Sequence, residues 1–170
     1  MSNGMTRREQ EITDQNEIRE ILDRCMILHL GLVDGDEAYV VPMNYGYTMD
    51  EDGTLSLYIH GAPTGRKIDL MRANPKVFFE MECDIQPFEG EVACKYGMAY
   101  KSLMGRGRAV ILDNPEEKMD ALTKFMKTQT GKDFEFNEKL VKVVSVIRID
   151  AVEYTAKCRR LPKAMREAAE

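Results

Sequence analysis

Between Leu55 and Val77 the chain sets out residues suited to holding a phosphate. An alternating segment ends at His60, a loop containing Gly61 and Gly65 follows, and Arg66 and Lys67 open an amphipathic stretch. Backbone N–H groups at a helix start lack intrahelical acceptors, and two adjacent cations add charge. The segment therefore reads as a seat for a phosphorylated small molecule. A plainer reading uses the same residues. Gly61-Ala-Pro-Thr-Gly is then an ordinary strand-to-helix connection, with Thr64 as N-cap, Gly65 for the turn and both cations in water. Neither a Walker A loop nor a spaced dinucleotide fingerprint is present.

Other segments offer candidate ligand contacts. Pro42 cannot donate a ladder hydrogen bond, so the strand carrying Val40-Val-Pro-Met-Asn-Tyr-Gly-Tyr is expected to be an edge, a bulge or a strand end there. Asn44 and Gly46 share its face, and Gly46 would let a flat ring system approach the backbone. The plainer alternative is a kinked strand with no ligand. His60 ends its strand on the face of Tyr58 and Ser56, where it can orient a ligand, exchange a proton or simply satisfy a backbone group. Tyr100, Ser102 and Arg106 share a face with Met98 and Met104, as at a cofactor edge, a subunit interface or a wetted strand. No Gly-x-Ser-x-Gly elbow or Ser-His-Asp set is found. Paired acids such as Glu116-Glu117 read as helix starts.

The elements that position these residues follow from pattern. Asp14 caps a helix running to Arg24, with Ile18, Ile21 and Leu22 as its stripe. Strands are expected over Cys25–Val33, Glu37–Tyr47, Thr54–His60, Val77–Cys83, Met98–Leu112 and Val143–Ala156. A helix over Thr64–Ala73 stops at Asn74-Pro75, and Asp84–Lys95 reads as a long loop. Gly105 and Gly107 mark a bulge, and Asn114-Pro115 opens a helix that ends before Gly131. A short helix follows Pro162. Six strands with few crossover helices predict one domain, 1–170, mainly β, folded as an antiparallel barrel-like sheet with helices outside.

Composition narrows the class. A net charge of −5 with dispersed basic residues argues against nucleic-acid binding, and the basic Lys157–Lys163 stretch reads as a solvated terminus. No apolar run is long enough to span a membrane, and the polar N-terminus lacks a secretory core, which predicts a cytoplasmic protein. Cys25, Cys83, Cys94 and Cys158 are expected to be free thiols, buried or partly buried. No metal site is expected, because close ligand pairs are missing and only His29 and His60 supply imidazole.

Several segments together carry a resemblance. They are Leu30–Asp36, Val41–Tyr47, Leu57–Ala62, Gly65–Leu70, Asn74–Val77 and Tyr100–Gly107. In order, they resemble the pyridoxamine-phosphate-oxidase-like flavin-binding split barrel, and within it the 5-nitroimidazole-resistance branch. The resemblance implies a six-stranded split barrel, a homodimer and FMN at the subunit interface. It implies that Arg66 and Lys67 hold the FMN phosphate, with Thr64 substituting for a gripping side chain where this chain has Gly65. It further implies that Pro42, Met43 and Asn44 lie along the isoalloxazine, that His60 and Gly61 approach it, and that Tyr100 and Ser102 reach it from the second subunit. The expected activity is FMN-dependent reduction of a small acceptor, such as a nitro compound or quinone, with a reduced nicotinamide as one possible donor. His60 is the expected catalytic residue, in a pocket walled by Tyr45, His60 and Tyr100. The alternatives are a flavin or haem carrier or sensor, and a vitamin B6-phosphate binder or oxidase.

Overall fold

The computed structural model describes residues 7–167. In chain order the elements are β1 (Glu11–Ile12), α1 (Gln15–Arg24), β2 (Ile27–Asp34), β3 (Glu37–Asn44), β4 (Gly46–Met49) and β5 (Leu55–Gly61). Then come α2 (Arg66–Ala73), β6 (Lys76–Phe88), β7 (Gly97–Leu112), α3 (Pro115–Thr130), α4 (Glu138–Lys142), β8 (Ser145–Arg159) and α5 (Lys163–Glu167). Every strand pairing is antiparallel, and the order is β3-β2-β6-β7-β8-β5-β4, with β1 added to β8.

The split follows from one residue. Tyr45 alone separates β3 from β4, yet these strands lie at opposite ends of the strand order. The sheet must therefore curl until its two edges meet at Tyr45. β3 and β5 approach there without forming a ladder, so the barrel is split rather than closed. Tyr45 is fixed at this seam, 0% exposed, with its hydroxyl donating to the Leu22 carbonyl at 2.7 Å. Inside the barrel, Leu28, Leu30, Leu57, Ile59, Phe79, Met81, Leu103, Ile147 and Ile149 form the main core. A second cluster under α3 contains Tyr58, Leu112, Ala121, Leu122, Val141 and Val146.

Local signals explain the helices. Asp14 accepts from the Asn16 and Glu17 N–H groups at 2.9 and 3.0 Å, and Asn114 caps α3 in the same way at 2.8 and 3.2 Å. Each such cap stabilises its helix by roughly 1 kcal/mol. Pro115 occupies the first turn of α3 and Gly131 closes it in the left-handed conformation. The register shifts at the expected bend or bulge, between Arg106 and Gly107, but the extra residue, Val152, is on the facing strand β8 rather than in β7.

Several boundaries differ from the sequence pattern. The sheet has eight strands, not six. The expected second strand breaks at Tyr45 because its two halves serve opposite edges. The segment expected to be a loop from Asp84 carries β6 on to Phe88, since Gln86, Pro87 and Phe88 pair with Ala99, Met98 and Gly97 of the long β7. Asp84, at φ 54°, absorbs the register shift. The Lys157–Arg159 stretch is strand rather than solvated tail. The Lys157 amine lies 5.5 Å from the Tyr100 ring centroid, and the Arg159 guanidinium 5.3 Å from that of Phe88. α4 and β1 have too few residues for a periodic signal. Among the described residues, no helix is long and apolar enough to cross a membrane. All four cysteines are free, but Cys94 is exposed rather than buried.

Gly46 sets the approach of α3. A Cβ there would stand 2.3 Å from the Phe125 Cα, a backbone atom that cannot swing aside. The expectation that Gly46 admits a ligand ring is thus corrected: the space is already taken by α3. Gly46→Ala should destabilise by about 3 kcal/mol, the upper end of overpacking losses. For a domain of this size that corresponds to a fall in Tm of about 6–12 °C. A thermal melt that moves by less than about 2 °C would refute this packing.

Candidate functional site

The seam between β3 and β5 gathers most of the candidate residues. Gly46 pairs with Tyr58 at the start of the β4–β5 ladder. Continued backwards past Tyr45, that register sets Asn44 opposite His60 and Met43 opposite Gly61. Pairing does not continue, so the two strands form the lips of the split. β3 is an edge strand, as Pro42 requires. Its outer edge offers backbone donors and acceptors that no neighbouring strand among the described residues takes.

At the far end of β5 lies the start of α2. Gly65 precedes the helix at φ 132°, a conformation open to glycine, and no side chain caps it. The expectation that Thr64 is the N-cap is corrected here: the helix begins at Arg66 and Thr64 lies in the exposed loop. Ile68 and Asp69 donate to the Gly65 carbonyl. Among the described residues, no acceptor meets the Arg66 and Lys67 N–H groups. The Lys67 amine folds back over Gly61, where a Cβ would stand 3.0 Å from Nζ. Arg66 is differently placed. Its guanidinium pairs with Asp34 at the end of β2 and lies 5.7 Å from the Tyr39 ring centroid.

His60 links the seat to the split. Its ring packs edge-on against Phe125 of α3, with centroids 4.7 Å apart. Burial, reinforced by the Lys67 charge, holds the imidazole pKa below its ordinary value, which favours the neutral ring. Asn44 is held from the other side. It donates to the Met26 carbonyl at 3.1 Å and to Gln129 of α3 at 3.3 Å, while Gln129 donates to the Tyr45 carbonyl at 2.7 Å. α3 thus braces both lips. Tyr45, expected as a pocket wall, instead belongs to the core.

Tyr100 and Ser102 are not on this split within one protomer. They line a separate cleft of about 320 Å³ with Glu80, Glu82, Ile85, Met98 and Met104. The sheet register nevertheless relates their strand, β7, to β3. Pro42, His29, Glu80 and Met104 form one row across four strands, and Val40, Gly31, Phe78 and Arg106 form the next. Met43 points the other way and packs on the core. A second cleft, of about 650 Å³, is bordered by Pro42, His29, Glu82 and Ile27.

Spacing in the sequence did not reveal the acids beside these clefts. Glu80 and Glu82 alternate on β6, and His29 of β2 reaches both, at 3.3 and 3.7 Å from Nδ1. Burial and the neighbouring Glu82 raise the Glu80 pKa, while His29 opposes the rise. The signal was available only as two acids at i and i+2 on one strand, which is common on wetted faces.

Comparison with known proteins agrees with the fold. A family model described as pyridoxamine 5'-phosphate oxidase matches residues 14–158. A candidate 5-nitroimidazole antibiotic resistance protein from Bacteroides thetaiotaomicron is 30% identical, with a TM-score of 0.74 over 87% of this chain and 86% of that one. The flavocytochrome Anf3 from Azotobacter vinelandii superposes at TM-score 0.75 and 19% identity, covering 93% of this chain and 73% of its own. The FAD and heme binding protein from Mycobacterium smegmatis does so at 0.74 and 12%, covering 94% and 80%. No curated protein matches the sequence. With most of its length matched by the family model, and a relative of 30% identity that shares its fold over 87% of the chain, this split barrel belongs to the pyridoxamine 5'-phosphate oxidase family, on the side of its 5-nitroimidazole-resistance branch.

Proposed function

We propose that the protein is an FMN-dependent oxidoreductase that works as a homodimer and reduces a small acceptor of the nitroimidazole or quinone type. The observation that carries this reading is the seat at the start of α2. Two free N–H groups and the Lys67 amine converge beside the open β3–β5 split. These residues fit a phosphate monoester, and the free edge of β3 fits the polar rim of a planar ring. Lys67 and the Arg66 and Lys67 N–H groups would hold the phosphate. Pro42 and Asn44, with the backbone of Met43 between them, would border the ring from one lip, and His60 and Gly61 from the other. FMN supplies the electron-transfer chemistry when bound, while the protein contributes binding, orientation and electrostatics. His60 is placed to hold or move a proton. The acceptor class rests on the 30% identical relative, which is described as an antibiotic resistance protein.

The outer sheet face supports the dimer reading. Val40 and Phe78 are 61% and 45% exposed, and Ile27, Met98 and Met104 add to the same surface. An apolar face of this kind beside an unpaired edge strand calls for a cover. A second copy supplies one and carries its Tyr100 and Ser102 toward the first copy's split. Light scattering over a dilution series should report twice the 19.4 kDa chain mass. A monomer that still binds FMN would refute the shared site. The test of function is the visible spectrum of the protein mixed with FMN, followed by addition of reduced nicotinamide and then a nitroimidazole. Tight binding with bleaching and recovery supports the enzyme. Tight binding with no turnover by any donor refutes it in favour of a carrier.

A further inference from the structure

The geometry points to a binding site for one divalent transition-metal ion formed by His29, Glu80 and Glu82 on the outer face of the sheet. The three donor atoms lie within 4.8 Å of one another. His29 Nδ1 is 3.3 Å from Glu80 Oε2 and 3.7 Å from Glu82 Oε2. An ion about 2.1 Å from each of three tetrahedrally disposed ligands sets them about 3.4 Å apart. The two separations from His29 thus stand near coordinating values, and the third lies within 4.8 Å. Register fixes them there: His29 pairs directly with Glu80 across β2 and β6, and Glu82 follows on the same face.

Charge gives an independent reason. A part-buried carboxylate, Glu80, stands beside a second, more exposed one, Glu82, and a cation would relieve their repulsion, since nearby basic side chains are otherwise engaged. Arg24 is bound to Asp84 at 2.8 Å through both carboxylate oxygens. Lys101 reaches Glu20 at 3.3 Å and Asp84 at 4.0 Å. His29 is the one partner left among the described residues, and an imidazole with two carboxylates suits Zn²⁺, Fe²⁺ or Mn²⁺. Three protein ligands leave coordination positions open. Within one protomer Glu82 borders both clefts, His29 the larger and Glu80 the smaller, so the open positions face the clefts of the sheet face that the proposed second copy would cover. The expectation of no metal site rested on spacing along the sequence, to which a site built across two strands is invisible. The site uses none of the residues of the phosphate seat, but Glu80 and Glu82 share a cleft with Tyr100 and Ser102, and His29 borders one with Pro42, so metal binding is read in flavin-free protein.

The test uses chelator-treated full-length protein titrated with Zn²⁺ and, because it has little affinity for thiols, with Mn²⁺. One equivalent of each should bind per chain. His29→Ala and Glu82→Gln should each weaken binding by more than about 10-fold, beyond the lower range seen for changes around a ligand shell. Glu138→Gln, an exposed acid on α4, should change nothing. The chain has two histidines, which permits a readout without mutation. In the proton spectrum of the unmodified protein, substoichiometric Mn²⁺ should broaden the His29 ring signals and spare those of His60. Absence of stoichiometric binding, wild-type affinity in both variants, or equal broadening of the two histidines would each overturn the site.

Discussion

Lys67→Ala should weaken FMN binding by about one to two decades while leaving riboflavin affinity nearly unchanged. The expectation rests on where the amine lies. Lys67 Nζ packs over Gly61, beside the uncapped N–H groups of α2, and none of the ion pairs found among the described residues uses it. A hydrogen bond to a charged group contributes roughly 1.5–3 kcal/mol, and that contribution is lost only for a ligand that carries the phosphate. Arg66 is not equivalent, because its guanidinium already pairs with Asp34. Asp34→Asn, which releases Arg66 toward the seat, should therefore tighten FMN and leave riboflavin alone. Fluorescence titration of both flavins measures all three proteins. Equal losses of FMN and riboflavin in Lys67→Ala would remove the phosphate from this helix start.

The difference between Lys67 and Arg66 marks the limit of what the sequence disclosed. The helix start was legible because its signals are local: two glycines, two cations and a following apolar stripe. The partner of Arg66 was not legible, because Asp34 lies 32 residues earlier and meets it only through the barrel. The same distinction runs through the fold. Asp14 and Asn114 announced their helices through side chains that bond the next turn, and Pro42 announced an edge by the hydrogen bond it cannot make. The break at Tyr45 was silent. The pattern from Val40 to Tyr47 is one continuous strand by local rules, and only the requirement that its halves pair at opposite edges divides it.

Gly46 and the pair Glu80 and Glu82 were misread or passed over for a related reason. A glycine in a strand declares that something comes close, but not what does; here it is the α3 backbone. Two alternate acids on a strand look like a wetted face until β2 brings His29 beside them. Long-range pairing decides these positions, and local pattern does not encode it.

His60→Ala should retain FMN but slow reduction of nitro compounds or quinones, with the largest loss below neutral pH. The structure fixes the direction. Burial first, and the Lys67 charge second, lower the imidazole pKa, so the ring carries its second proton only at pH values below about 6.5, the ordinary histidine value. A phosphate beside Lys67 offsets that cation and moves the His60 pKa back toward its ordinary value. The wild-type rate should then rise as pH falls through this range, whereas the variant stays flat. A positioned acid contributes typically about 10²–10⁴-fold, and that is the gap expected at the acid end. The same shift bears on stability. A histidine with a lowered folded pKa contributes stability present above its unfolded pKa and lost as pH falls through the folded one. Retention of bound FMN must therefore be checked at each pH, so that loss of fold is not read as loss of proton transfer. The assay is stopped-flow reoxidation of chemically reduced protein against a panel of acceptors. Equal rates for wild type and His60→Ala across the pH range would assign His60 to its contact with Phe125 alone, as a brace for the lip of the split rather than a source of protons.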